Sequence, residues 1–224
     1  MTGTTLIGFA GFCKSDIMLY LSRILHISGS KVAIIDRSNE QELRYCVPDG
    51  VNCGNMAEYR NVDIYFDYCK GSIANLPLTE YSAVLIDLGV NYDTYEDIKS
   101  LKVLYIVSDL NRYHIMPLSA WIKNLTEKPD AVRILRDTVF GKIRAEYIDF
   151  VLGTREFTNL VGAYEFAFDE IEYSTRLSAQ YDDIFKFQRI PKCFKKMLTD
   201  CMTEIFQIEP KTAFYALKKA QAGG

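Results

Sequence analysis

The stretch that decides the fold is Gly8-Phe9-Ala10-Gly11-Phe12-Cys13-Lys14-Ser15. It comes within one residue of the pattern G-x-x-x-x-G-K-[ST]. In that pattern glycines let backbone N–H groups curl around phosphates, the lysine reaches the outer phosphates and the hydroxyl holds Mg²⁺. Gly8 fills the first place, and Lys14 and Ser15 fill the last two. Cys13 stands where the final glycine belongs, where a side chain either crowds the phosphates or resists backbone angles that only glycine takes easily. Two readings are open here. In one, the N–H groups of Gly11 to Cys13, with Lys14 and Ser15, hold nucleotide phosphate. In the other, Gly11 eases a turn, Lys14 is a solvated lysine at a helix start, and Ser15 is an N-cap.

The flanks place this loop. Thr5 to Ala10 is a short apolar run that predicts a buried strand. From Ser15 to Ile27, Ile17, Leu21, Ile24 and Leu25 recur at helical spacing and predict a largely buried helix. Ser28-Gly29-Ser30 ends it, and Lys31 to Asp36 predicts a second strand closing on a carboxylate. Strand, glycine loop, helix and strand make a βαβ unit, with the loop at the carboxyl ends of the strands, where open α/β sheets bind ligands. A dinucleotide site is a rival reading, with Gly8, Gly11 and Asp36 as its marks. Its third glycine is missing, and a Lys-Ser helix start suits a phosphate loop better.

Further along, Arg37 to Tyr45 reads as a helical turn or a switch-like loop. Pro48-Asp49-Gly50 reads as a turn, and Val51 to Ala57 as irregular. Strands are predicted over Val62–Asp67, Tyr81–Gly89, Leu101–Asp109, Ala131–Arg136 and Val161–Phe168. Helices are predicted after the strand that ends at Asp109, through Trp121 to Leu125, and over Lys142–Leu152, Lys192–Phe206 and Lys211–Ala220, with a short one at Thr94–Ser100. Strands alternating with helices along the whole chain predict an α/β doubly wound, mostly parallel sheet with helices on both faces. No linker-like composition divides residues 1–224, so one domain is expected, with a basic helical part over 191–221.

Composition bounds the function. The 224 residues are 49% hydrophobic and 25% charged, an ordinary globular balance, and the net charge of −3 argues against a general nucleic-acid binder. Six cysteines without a C-x-x-C pair read as reduced thiols, and neither histidine, His26 or His114, has a ligand at sequence spacing. Cys13 alone stands out as a candidate reactive thiol, because a helix start and Lys14 would both lower its pKa. No apolar run is long enough for a membrane span, and no leader is seen, so a cytoplasmic protein is expected.

Asp36 and Asp87 both follow apolar strands, I-I-D and L-I-D. Parallel strands would bring them together beside the glycine loop, where such a carboxylate holds Mg²⁺ directly or through water. Asp87 is assigned that role, with Ser15 as the other metal-side group and Asp36 as the second acid. The alternative is that each merely precedes a helix or turn. Asp109 ends a third strand and reads as a cap.

Taken in order, these segments resemble the MinD/ParA family of deviant phosphate-loop ATPases. The resemblance rests on Gly8–Ser15 and its helix, on Lys31–Asp36 and on Tyr81–Gly89. It also rests on Ala167-Phe168-Asp169 leading into a helix, similar to the family's P-x-D beside the nucleotide base. It runs from Thr4 to about Phe206. It implies ATP or ADP with Mg²⁺ bound by Gly8, Gly11, Phe12, Cys13, Lys14, Ser15, Asp36, Asp87 and Asp169. It also implies a homodimer and protein partners in a membrane-associated machine such as a pilus, secretion, flagellar or division system. The departures concern hydrolysis. The family's lysine that crosses the dimer interface matches Phe9, and the acid that positions the attacking water matches Ser38. Ala10 and Cys13 replace glycines, Asp87-Leu-Gly-Val-Asn replaces D-x-P-P-G, Ala167 replaces the late proline, and the adenine-reading Asn has no clear match near Arg136-Asp137. Binding groups survive and hydrolytic groups do not, which implies a pseudo-ATPase; a slow Mg²⁺-dependent ATPase is the alternative.

The helix after Pro191 is amphipathic, with Phe194, Met197, Leu198, Cys201, Met202 and Ile205 on one face and Lys192, Lys195 and Lys196 towards the other. It either covers the sheet or lies on an anionic membrane through 191–206, in which case the protein sits at the inner face of that membrane.

Overall fold

The computed structural model describes residues 3–48, 54–70, 72–182 and 189–222. Asp49 and Gly50 of the turn expected at Pro48-Asp49-Gly50, and residues 51–53 of the stretch expected to be irregular, lie outside them. One sheet runs through the molecule in the order β3-β4-β2-β5-β1-β6-β7-β8. Its centre is β1 (Thr5–Gly11), flanked by β5 (Ala83–Gly89) and β6 (Val103–Ser108). Outward on one side come β2 (Val32–Asp36), β4 (Val62–Tyr65) and β3 (Met56–Tyr59); on the other come β7 (Asp130–Thr138) and β8 (Asn159–Ala167). All neighbours pair parallel except β3 with β4. This is the doubly wound, mostly parallel α/β architecture read from the alternation of strands and helices.

The strand order separates the two phosphate-site readings. A dinucleotide fold sets its second strand beside its first. Here β5 lies between β1 and β2 and pairs with both.

Because a strand's side chains alternate between faces, each central strand feeds two cores. Ile7 and Phe9 of β1 and Leu85 of β5 point to the face covered by α1 (Ser15–Ile27), α7 (Lys192–Asp200) and α8 (Pro210–Gln221). Ala10, Val84 and Ile86 point to the face covered by α3 (Arg112–Lys123) and α4 (Ala145–Leu152), where Trp121 is fully buried. The short α2 (Tyr95–Ile98) lies at that face through Ile98. The short α5 (Thr154–Phe157) leads into β8, and α6 (Glu170–Asp182) follows it.

Two expectations change. Met56 and Ala57, the tail of the stretch that reads as irregular, open the antiparallel strand Met56–Tyr59, joined to β4 by Arg60 and Asn61, both at positive φ. Paired left-handed residues suit the twist of a tight hairpin, but arginine is a poor sign of one. The predicted helix Lys192–Phe206 is α7 followed by a wider π turn over Cys201–Ile205. Its apolar face, Phe194, Met197, Leu198, Cys201 and Met202, is buried in the core of the α1 face. The face a membrane would take is therefore already covered, and the amphipathic pattern of 191–206 is a packing pattern. No helix among the described residues is long and apolar enough to cross a membrane.

Candidate functional site

Strand register builds the site. Asp36 and Asp87 are paired positions at the ends of β2 and β5, and Asp87 also lies opposite Phe9 of β1. Both aspartates are fully buried, as the two I-D strand ends suggest. Past β1 the chain turns at Gly11, whose φ is +98°; a Cβ there would stand 2.1 Å from the Val107 carbonyl oxygen. Only glycine fits that turn.

Lys14 is 2% exposed. That excludes the solvated-lysine reading. Its Nζ donates to the Gly11 carbonyl at 2.7 Å and forms an ion pair with Asp87 Oδ1 at 3.0 Å. Burial works against the ammonium, but Asp87, Glu42 and Asp36 outweigh it and hold its pKa above the ordinary lysine value. Ser15 is not the helix cap, because Lys14 occupies that position. Its hydroxyl instead donates to Glu42 Oε2 at 2.6 Å, from the 3-10 turn Glu42–Cys46.

Asp36 Oδ1 accepts from the Ser38 N–H at 3.0 Å, the Ser38 hydroxyl at 2.6 Å and Gln41 Nε2 at 3.2 Å. Asp87 Oδ1 accepts from the Gly89 N–H at 2.9 Å. The second oxygen of each carboxylate is buried with no hydrogen-bond partner among the described residues. Burial pushes both acids upward; for Asp87, Lys14 pulls the other way and facing Asp36 adds to the rise. Three carboxylates, one hydroxyl and one ammonium thus share the pocket around Lys14. This all-oxygen, acid-rich donor set fits Mg²⁺, with Ser15 and Asp87 as the groups that would hold it and Asp36 behind them.

Other expected residues fall differently. Gly8 lies inside β1, where a Cβ would meet Leu101 Cδ1 at 2.5 Å, so it is a packing glycine rather than part of a phosphate cradle. The Phe12 N–H is bonded to the Val107 carbonyl at 3.0 Å and its ring stacks on His114, so this N–H is turned away from any phosphate. Asp169 caps α6, accepting from the Glu172 N–H at 2.8 Å, and is exposed. Phe9 is buried and stacked on Tyr105 with centroids 5.0 Å apart. Cys13 takes the glycine-like φ of +57°. Its thiol is not activated: burial first, then Asp109 and Glu42, push its pKa up to about 11.

Sequence reading missed a second charged assembly. Arg136, at the end of β7, is 1% exposed. It donates to the Cys13 carbonyl at 2.8 Å, to both Asp16 oxygens at 2.6 and 2.9 Å, and to Glu172 Oε1 at 2.6 Å. Arg176 of α6 donates to Asp137 at 2.7 Å through Nη2, while its buried Nη1 has no hydrogen-bond partner among the described residues. These contacts hold α6 against the loop. Between them is a cleft of about 170 Å³ lined by Cys13, Ser15, Glu42, Tyr173, Arg176 and Leu177, among others. It is smaller than the roughly 300–1,000 Å³ of usual small-molecule sites. Only charge swaps between distant segments, invisible to local patterns, could have marked Arg136.

No family model and no curated protein matches the chain. Solved structures do. A ParA family ATPase of Chlorobium tepidum superposes with a TM-score of 0.60 at 13% identity, covering 97% of this chain and 99% of the other. A chain of the MinC:MinD cell division complex of Aquifex aeolicus gives 0.55 at 12%, covering 96% of each. A plasmid partition protein of Borrelia burgdorferi bound to AMPPNP gives 0.51 at 12%, covering 97% and 99%. At such identities the likeness is one of fold, and it agrees with the resemblance read from the loop, the strand-end acids and the order of elements. The chain has the fold of the ParA and MinD ATPases.

Proposed function

We propose that this chain is a nucleotide-responsive regulatory or localisation protein of the ParA/MinD kind that binds ATP or ADP weakly, as the magnesium complex, and turns it over slowly or not at all. The observation that carries this reading is the state of Lys14 and Ser15. Both lie where a phosphate loop needs them, yet each is bound to a carboxylate of the protein, Asp87 or Glu42. Nucleotide must displace those partners and widen a cleft that α6 closes. With three carboxylates around one ammonium, free triphosphate is repelled; Mg²⁺ supplies the missing positive charge. The free Nη1 of Arg176 is a further donor to an incoming phosphate or ribose.

Turnover needs charge aimed at the transferring group and a placed water. Phe9 is buried in the core and cannot supply the first, and Ser38, bonded to Asp36, is no acid. Output then comes from contacts with a partner, in a membrane-associated machine such as a pilus, secretion, flagellar or division system, and self-association depends little on ATP.

Calorimetric titration with ATP tests the site. The expected result is weak binding with Mg²⁺, at least about tenfold weaker without it, and loss of binding in Lys14→Ala. Tight binding, or binding indifferent to Lys14→Ala, would overturn the reading. Phosphate release measured beside sedimentation tests the rest: robust Mg²⁺-dependent hydrolysis, or a dimer formed only with ATP, would sink the pseudo-ATPase.

A further inference from the structure

The cysteine that replaces the loop glycine has acquired neighbours that no sequence spacing joins. Cys13 Sγ, a carboxylate oxygen of Asp109 and a ring nitrogen of His114 all lie within 4.8 Å of one another. They come from three places: the phosphate loop, the turn after β6, and the first turn of α3. Each is held. Asp109 Oδ1 accepts from the Asn111 N–H at 2.8 Å, and both its oxygens lie 3.0 Å from His114 Nδ1. The His114 ring stacks on Phe12, with centroids 4.6 Å apart and planes 19° from parallel. Cys13 is held by its carbonyl, which accepts from Arg136. All three side chains are only partly buried, so an ion can reach them.

We propose that Cys13, Asp109 and His114 form a binding site for a borderline-soft divalent cation such as Zn²⁺, distinct from the oxygen-lined magnesium position at Ser15 and Asp87. Thiolate, imidazole and carboxylate are zinc's ligand types, whereas magnesium takes oxygen alone. Zinc bonds of about 2.0–2.3 Å put tetrahedral ligand atoms roughly 3.5 Å apart. Separations of up to 4.8 Å have to close by about an ångström, and the 3.0 Å contact between Asp109 and His114 Nδ1 has to open slightly or give way to Nε2 as the ligand, changes within the reach of side-chain rotation. Three protein ligands leave the fourth position to water or another small ligand, the pattern of an exchangeable site rather than a sealed structural one. The chemistry needs no oxidant or second reactant: the Cys13 thiol releases its proton to solvent as the metal–sulfur bond forms. The site would also give a role to a cysteine held in left-handed conformation at a place where the phosphate-loop pattern has glycine. This inference does not rest on nucleotide binding.

Cobalt(II) is the probe, because a cobalt–thiolate bond gives a charge-transfer absorption that oxygen and nitrogen ligands do not. The full chain carrying Cys193→Ser, which removes an exposed thiol, is titrated with Co²⁺ and then Zn²⁺ in excess Mg²⁺. The expected result is one cobalt per chain with the thiolate band, erased by Zn²⁺ and untouched by Mg²⁺. Cys13→Ser abolishes the band, and His114→Gln and Asp109→Asn each weaken binding by about tenfold or more. Circular dichroism of each variant shows that it is folded, and neither His114→Gln nor Asp109→Asn alters a core residue. No band in the parent, a band that survives Cys13→Ser, or a band indifferent to both His114→Gln and Asp109→Asn would each overturn the site.

Discussion

Two charged assemblies flank the phosphate loop, and they are built on opposite plans. On the β7 side, Arg136 meets Asp16 in a two-pronged pair and adds Glu172 and the Cys13 carbonyl, so both of its terminal nitrogens are engaged. On the β2–β5 side, Lys14 faces Asp87, Asp36 and Glu42 alone, and two buried carboxylate oxygens stay without a partner. The first arrangement is closed and rigid, as planar guanidinium–carboxylate pairing tends to be. The second lacks positive charge and has a cation whose partners can be exchanged. The difference separates scaffold from binding site: Arg136 fixes the loop and α6, and the Lys14 pocket is where a ligand carrying Mg²⁺ would improve on what the protein supplies.

Removing the guanidinium should therefore have the largest effect. Arg136→Met takes from Asp16 and Glu172 the guanidinium that hydrogen-bonds both, leaving only Arg176 nearby as counter-charge among the described residues, and the loss of a buried pair's partner costs about 3–5 kcal/mol. Chemical denaturation measures it. Lys14→Met should lose clearly less, about 1–2 kcal/mol, because Asp87, already pushed towards its neutral form, can take up a proton instead of staying charged. Equal losses in the two variants would erase the distinction drawn here.

Asp36→Asn sharpens the acidic side of the comparison and carries a sign. Burial raises the folded pKa of Asp36 above its unfolded value. The carboxyl's contribution is thus favourable at low pH and is lost as pH rises through the folded pKa. Asparagine keeps an oxygen to accept from Ser38 and Gln41 and places an NH₂ where Oδ2 has no partner. The variant should be more stable than the parent by about 1 kcal/mol near pH 8, with the gain shrinking as pH falls towards 4. Melting curves across that range check it. A gain that grows on acidification would mean that Asp36 is held charged, and that the pocket is not short of cations.

How much of this was legible follows from the range of each signal. The loop, the helix from Ser15 to Ile27 and the strand ends at Asp36 and Asp87 stand out because periodicity and glycine spacing are local. The same locality misleads at Gly8, which fits the phosphate pattern but is glycine because Leu101 and Leu88 press on β1. The basic amphipathic helix at 192 looks the same in sequence whether its apolar face meets lipid or sheet; only the buried Phe194 and Met197 tell them apart. The contacts of Arg136 and Arg176, and those that bring Cys13 to Asp109 and His114, join residues far apart in the chain, and composition cannot pair them. Glu42 falls in a stretch that reads as a helical turn or a switch-like loop with no site residue in it, yet it holds the one hydroxyl expected on magnesium.

The smallest expected change in stability is at Cys13, where two effects oppose. Its φ of +57° is a left-handed conformation that costs a side-chain-bearing residue on the order of 1 kcal/mol, so Cys13→Gly relieves strain. Glycine also loosens the unfolded chain and gives up the thiol's partial burial, each worth a similar fraction. The net shift should lie within about 0.5 kcal/mol of zero. Nucleotide should respond more than the fold does. Cys13 lines the cleft beside Ser15, so removing its side chain opens space next to the loop, and Mg·ADP affinity should rise by about tenfold in calorimetry, or 1.4 kcal/mol. An affinity that stays flat would place the obstacle in the Lys14–Asp87 pair and the pinned α6 rather than in the missing glycine. In that case Cys13→Gly should regain its effect only in a background where Glu172→Gln has loosened the Arg136 contact, and the double variant measured against each single one separates the two causes.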